Sequence, residues 1–218
     1  VFLDGLGTVQ AFNTVSVRPQ VEGTLIEVLF TEGQEVRAGD VLARIDPRPY
    51  QATLDQALAK KQQDEAALAN ARQDAARLAR LAANAYTSAQ QVDAARAQVT
   101  QLEAQVRGDQ AAIDQARTQL GYTAITSPID GRVSRAEITE GNLVGAGQSL
   151  LTTVVSTDKV YAYFDADERA FLKYVELARE SGADARGASP VYLGLSDEAG
   201  HPHLGQLDFL DNQVNPRT

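Results

Sequence analysis

Methionine, cysteine and tryptophan are all missing from this 218-residue chain, and histidine occurs only 2 times. Lacking cysteine, the chain has no thiol nucleophile and no disulfide framework, a composition compatible with an oxidising compartment and also with the cytosol. Lacking methionine, it has no initiator. The expectation is therefore a processed or trimmed piece, with any signal peptide or anchor ahead of Val1. Basic side chains are the minority, 20 against 29 acidic ones, for a net charge of −9 and a pI near 4.7. That balance excludes the basic stripe a nucleic-acid surface needs. No window approaches the apolar length of a transmembrane helix.

Motifs for chemistry are equally scarce. His201 and His203, two residues apart in HPH, do not make a zinc site by themselves and suit a hairpin turn. FDADE (164–168) lacks the glycine and the bidentate glutamate of a calcium loop and fits a solvated strand end. GLG (5–7) lacks the third glycine of a dinucleotide fingerprint, and no Gly-x-Ser-x-Gly elbow occurs. The expectation is a non-enzyme with no catalytic residue, no cofactor and no metal.

What the chain does have is an internal repeat. TEGQEVRAG (31–39) returns as TEGNLVGAG (139–147), an offset of 108. Residues 21–45 align without a gap to 129–153, with 8 identities: Gly23/Gly131, Thr31/Thr139, Glu32/Glu140, Gly33/Gly141, Val36/Val144, Ala38/Ala146, Gly39/Gly147 and Leu42/Leu150. LIEVLF (25–30) and VLARI (41–45) are apolar and β-branched between glycine turns, which predicts short strands. So small a strand set leaves its apolar face wet unless a second copy covers it. The two copies are therefore expected to pack as one pseudo-symmetric sandwich.

Between the copies, 50–107 contains neither glycine nor proline, and alanine fills 21 of the 72 positions from 50 to 121. Both facts favour helix. Pro47 and Pro49 open the first helix, NAYTS (84–88) breaks it, Ser88 and Gln91 form a capping box for the second, and Gly121 is read as its stop. Heptads run through Leu54, Ala57, Lys61, Asp64, Leu68, Ala71, Ala75, Leu78 and Ala82. They resume through Val92, Ala95, Val99, Leu102, Val106, Asp109, Ile113, Ala116 and Leu120. Such a pattern predicts an antiparallel coiled-coil hairpin with arms of roughly 50 Å. An antiparallel register pairs positions whose numbers sum to about 171, setting Lys61 opposite Asp109 and Asp64 opposite Arg107. Either these groups compensate one another across the seam, or they splay into water.

Paired half-motifs of this kind resemble the biotinyl/lipoyl domain, whose carrier forms present a lysine at the hairpin between the halves. The 4 lysines here, Lys60, Lys61, Lys159 and Lys173, avoid such a turn. That disfavours a lipoyl or biotin carrier subunit of an enzyme complex. The tip, RLARLAANAYTS (77–88), sets Arg77, Leu81 and Ser88 in the spacing R-x3-L-x6-S. Split lipoyl halves, a long inserted hairpin and this tip together resemble the periplasmic adaptor (membrane fusion protein) family of resistance-nodulation-division efflux pumps.

The resemblance implies an elongated α+β multidomain protein. Its parts would be a split lipoyl-like β-sandwich (21–48 and 122–156), an inserted α-helical hairpin (49–121) and an incomplete β-barrel (1–20 and 157–218). The barrel share would draw on GTVQAFNTVSV (7–17), KVYAYFDAD (159–167), a short amphipathic helix at 168–181 and two strands within 188–214. It further implies a periplasmic adaptor linking an inner-membrane drug/proton antiporter to an outer-membrane channel for multidrug efflux, held at the inner membrane by an N-terminal anchor not present in this chain. Its partners would be that transporter, that channel and further copies of itself in a ring, as trimer or hexamer. Arg77, Leu81 and Ser88 would meet the channel. The lack of methionine disfavours the subclass that captures copper through thioethers. An adaptor of an ABC exporter or type I secretion system is the alternative within transport.

Overall fold

A computed structural model describes residues 5–84, 86–164 and 190–208. The chain divides into two compact units, Ala11–Lys159 and a second made of Val1–Gln10 with Val160–Thr218.

In the first unit, two four-stranded antiparallel sheets form the sandwich. The strands before the insertion are β2 (Thr14–Val17), β3 (Gly23–Val28), β4 (Glu35–Val36) and β5 (Val41–Ile45). Those after it are β6 (Ala124–Thr126), β7 (Gly131–Val133), β8 (Leu143–Val144) and β9 (Thr152–Val155). One sheet runs β6-β5-β3-β8 and the other β2-β9-β7-β4. Exchange the two halves of the repeat, and β6, β5, β3, β8 become β2, β9, β7, β4 in the same order. Each sheet therefore takes both of its outer strands from the other half. Leu25, Ala43, Ile45, Val144, Leu151 and Val154 lie between the sheets, fully buried. Burial of each of the Leu, Ile and Val side chains among them stabilises by about 1.5–3 kcal/mol.

The repeated turns hold the halves together reciprocally. Gly33 N–H donates to the Val133 carbonyl (2.9 Å) and Gly141 N–H to the Leu25 carbonyl (2.8 Å). Gly39 N–H donates to the Ser127 carbonyl and Gly147 N–H to the Pro19 carbonyl, both at 2.8 Å. Gly33 and Gly141 share a left-handed backbone, φ 79° and 86°, which a side chain would strain. The strand at Thr14–Val17, grouped with the barrel on sequence, instead pairs with β9 in the sandwich, Val17 opposite Thr152.

The insertion is the expected hairpin, α1 (Arg48–Ala83) and α2 (Ala89–Gly121), of 36 and 33 residues. At 1.5 Å per residue its arms reach roughly 50 Å. Pro47 occupies the N-cap of α1. All the heptad positions named above are buried or half-buried, while most neighbours are exposed. The best-shielded part is the base, where Leu54, Ile113 and Ala116 cluster with Ala57 and Leu120. Gly121 is not a left-handed stop. It is the last residue of α2, which closes through Tyr122 N–H to the Thr118 carbonyl and Thr123 N–H to the Leu120 carbonyl, both at 3.1 Å.

The polar seam groups choose other partners than expected. Lys61 Nζ donates to Gln110 Oε1 at 2.8 Å and pairs with Glu65 at 3.3 Å. Asp64 accepts from Lys60 and Gln105, and not from Arg107, which is exposed. The register holds, since Lys61 faces Gln110 and Gln105 faces Asp64. The pairings differ because a cation four residues away on the same helix reaches Asp64 without crossing the seam.

The second unit shows β1 (Gly7–Ala11) paired with β10 (Val160–Phe164), and β11 (Pro190–Leu193) paired with β12 (His203–Gln206). The helix expected at 168–181 and most of FDADE lie outside the described residues. His203 opens β12, and its Nε2 lies 2.8 Å from Glu198 Oε1 across the turn.

Candidate functional site: the hairpin tip

The far end of the hairpin is built by one carbonyl. Leu81 C=O accepts from Asn84 N–H (3.1 Å) and Tyr86 N–H (3.0 Å), which ends α1 and folds the chain back. Asn84 Nδ2 adds a bond to the Arg80 carbonyl at 3.2 Å, and Arg80 sits in the last turn, where a cation suits the negative end of the helix dipole. Ser88 then takes an extended backbone (φ −82°, ψ 150°), and its Oγ accepts from Gln91 N–H at 3.3 Å. Only that half of the capping box forms, because the Gln91 side-chain oxygen is taken by the Thr87 hydroxyl.

Arg77 and Leu81 stand four residues apart on one flank of α1, each next to a seam residue, Leu78 and Ala82. Arg77 is largely exposed, with a loose contact to Asp74 at 3.5 Å that holds it weakly. Leu81 is 39% exposed, and Tyr86, in the turn itself, is 79% exposed. Ser88 is exposed at the head of α2. The end of the hairpin thus presents a guanidinium, an aliphatic side chain and an aromatic ring on a rigid stem. Sequence reasoning quoted NAYTS as a helix break and passed over Tyr86. An aromatic residue with polar neighbours in a turn, where no core can receive it, was the available signal.

Nothing else on the described surface competes as a chemical site. No group of three or more His, Asp or Glu side chains is placed to hold a metal among the described residues. No described helix is long and apolar enough to cross a membrane. Lys60 and Lys61 are engaged in the hairpin, and Lys159 lies 6.0 Å from the Phe12 ring centre. Lys173 lies outside the described residues.

Comparison with known proteins adds three findings. The family model described as the RND MFP barrel-sandwich hybrid domain matches residues 13–156. Multidrug resistance protein MdtA of Photorhabdus laumondii is 43% identical over 220 residues, covering 100% of this chain and 53% of that protein. MdtA of Pantoea ananatis is 39% identical over 221 residues, covering 100% and 52%. The chain spans about half the length of the curated relatives it matches. Among solved structures, a MacA-MexA chimera containing the Pseudomonas aeruginosa MexA α-hairpin domain matches 95% of this chain and 66% of its own, with TM-score 0.61 and 30% identity. The membrane fusion protein Spr0693 of Streptococcus pneumoniae matches at TM-score 0.70 and 20% identity, over 97% of this chain and 84% of its own, which is a likeness of fold alone.

Proposed function

Since the chain belongs to the RND membrane fusion proteins, we propose that it is the sandwich-and-hairpin part of a periplasmic adaptor. The adaptor links an inner-membrane drug/proton antiporter to an outer-membrane channel for multidrug efflux. The observation that carries this reading is the hairpin itself. A stem of roughly 50 Å on a two-sheet base, carrying the exposed Arg77, Leu81 and Tyr86 together at its far end, is a spacer that must touch something there. The 43% identity to a multidrug resistance protein across the whole chain supports the same assignment.

In this reading the work is geometric and the protein is not an enzyme. Copies of the chain assemble as a ring, and their hairpins stand side by side as a conduit. Arg77, Leu81 and Ser88 meet the channel, and Tyr86 joins them. An exposed aromatic and an arginine beside an aliphatic anchor are the residue types that dominate protein contacts. Residues 49–121 form the spacer, and the lipoyl-like halves 21–48 and 122–156 form the base, with the strand at Thr14–Val17 completing its second sheet. The remainder belongs to a barrel-like domain shared with segments beyond this chain, and a separate anchor holds the adaptor at the inner membrane.

The test is efflux in cells carrying tip variants. Arg77→Asp or Leu81→Asp abolishes drug resistance while leaving thermal unfolding of the purified chain nearly unchanged, since both positions are exposed and neither change opens a cavity. Full resistance in cells with Arg77→Asp removes the tip from the mechanism. Crosslinking from position 86, followed by identification of the captured protein, distinguishes a channel from any other partner.

A further inference from the structure

One layer of the hairpin seam pairs like charges. Asp64 and Asp109 occupy seam positions on opposite helices, and Asp64 is only 5% exposed. Asp64 Oδ2 already accepts from Lys60 Nζ (2.5 Å) and Gln105 Nε2 (2.6 Å). The Asp109 carboxyl lies within hydrogen-bonding reach of the Asp64 carboxyl, yet Asp109 Oδ2 is buried with no donor among the described residues. Two ionised carboxylates in contact repel, and a buried anionic oxygen without a donor is costly. A proton on Asp109 removes both problems, because its O–H then donates to Asp64.

We propose that Asp64 and Asp109 share one proton across the seam, and that this proton makes the hairpin a pH-dependent clamp. From α1, Lys60, Lys61 and Glu65 surround the layer, and Lys61 is engaged by Gln110 and Glu65. From α2, Gln105 and Gln110 face it, with Arg107 exposed beside it. Burial, and then the neighbouring Asp64, push Asp109 above the ordinary aspartate value of 3.8. The Lys60 hydrogen bond, foremost, holds Asp64 below that value.

The two displacements act in opposite directions on stability. The Asp109 contribution is fully present below 3.8 and is lost as pH rises through its raised folded value. The Asp64 contribution is present above 3.8 and is lost as pH falls through its lowered folded value. The clamp is therefore tightest between the two and loosens on either side. The layer lies about 24 Å along α1 from its start, above the apolar base of Leu54, Ile113 and Ala116. Beyond it the seam continues through Leu68, Leu78, Val92 and Val99, so loosening here slackens the turns that flank the layer. The inference does not depend on what the tip touches.

The full chain with carbon-13-labelled aspartate carboxyls tests this directly by NMR titration. Asp109 is expected to titrate above the exposed aspartates and Asp64 below them. The urea midpoint of the wild-type chain is expected to fall as pH rises through the Asp109 transition. Asp109→Asn, which imitates the protonated acid, abolishes that alkaline-side fall. Amide exchange along 61–68 and 102–110 should quicken through the same transition in the wild type and stay constant in Asp109→Asn. Ordinary titration of both wild-type carboxyls overturns the proposal without any variant having to fold. So does an Asp109→Asn profile that keeps the wild-type alkaline decline.

Discussion

Glu32 and Glu140 explain why TEG is written twice. Glu140 Oε1 accepts from Val28 N–H at 2.9 Å, and Glu32 Oε1 accepts from Ala136 N–H at 3.0 Å, positions that interchange with the two halves. Each carboxylate crosses to a backbone donor of the other half, where no ladder hydrogen bond serves it. Glu140→Ala is expected to cost about 1 kcal/mol in chemical unfolding, and Glu140→Gln, which keeps an acceptor oxygen, distinctly less. Equal losses for the two variants would show that the hydrogen bond is not what holds the glutamate there. Gly131 makes a sharper case. A Cβ at that position would stand 2.2 Å from the Val155 carbonyl oxygen, whereas at Gly141 it would meet nothing within 4 Å. Gly131→Ala must move backbone and is expected to cost about 3 kcal/mol. Gly141→Ala carries only left-handed strain, about 1–2 kcal/mol. Urea titrations of the two variants give the comparison. Both glycines are identical across the repeat and indistinguishable in sequence, because what a missing side chain makes room for is set by a strand far along the chain.

In the helices, the sequence was most readable where one physical rule acted alone. The heptad period placed every seam residue correctly, since a hairpin has one interface and, the layer of Lys61, Asp64 and Asp109 apart, apolar side chains fill it. The choice of partners within the polar layer was not readable. Lys60 is off the seam, and its capture of Asp64 rests on a rotamer that competes with any donor across the interface. Apolar burial in the hairpin is uneven, and stability should follow it. Ile113, 1% exposed in the basal cluster, is expected to lose about 2–5 kcal/mol on truncation to alanine. Leu81→Ala at the half-exposed tip should stay within about 0.5 kcal/mol. Differential unfolding of the two variants, read by helical circular dichroism, checks this. Equal effects would mean that the hairpin is stabilised evenly along its length.

For the chain as a whole, the aligned window from 21 to 45 was legible because turns demand particular residues, whereas strands demand only apolar character. The repeat in fact extends further back. Val17 in β2 and Ile125 in β6 are buried at equivalent places, 4% and 6% exposed, yet the residues around them share no identity that would draw the eye. The exchange of end strands has a consequence for how the unit folds. β4 completes the sheet of β7, and β8 completes the sheet of β3. Neither half owns a finished sheet, so residues 1–48 alone should show no strand signal and no cooperative unfolding, a two- or three-stranded piece being too small to stand in water. Cutting the chain at the tip should do far less harm. Asn84, Tyr86 and Ser88 in the turn are exposed and remote from the sandwich, the kind of place where nicking is tolerated. Fragments 1–85 and 86–218, mixed after separate denaturation, should therefore reassemble through seam and sandwich together, with a single unfolding transition that depends on concentration. If 1–48 folds by itself, or the tip-cut pair stays unfolded at any concentration, the interlocked halves do not fold as one cooperative unit.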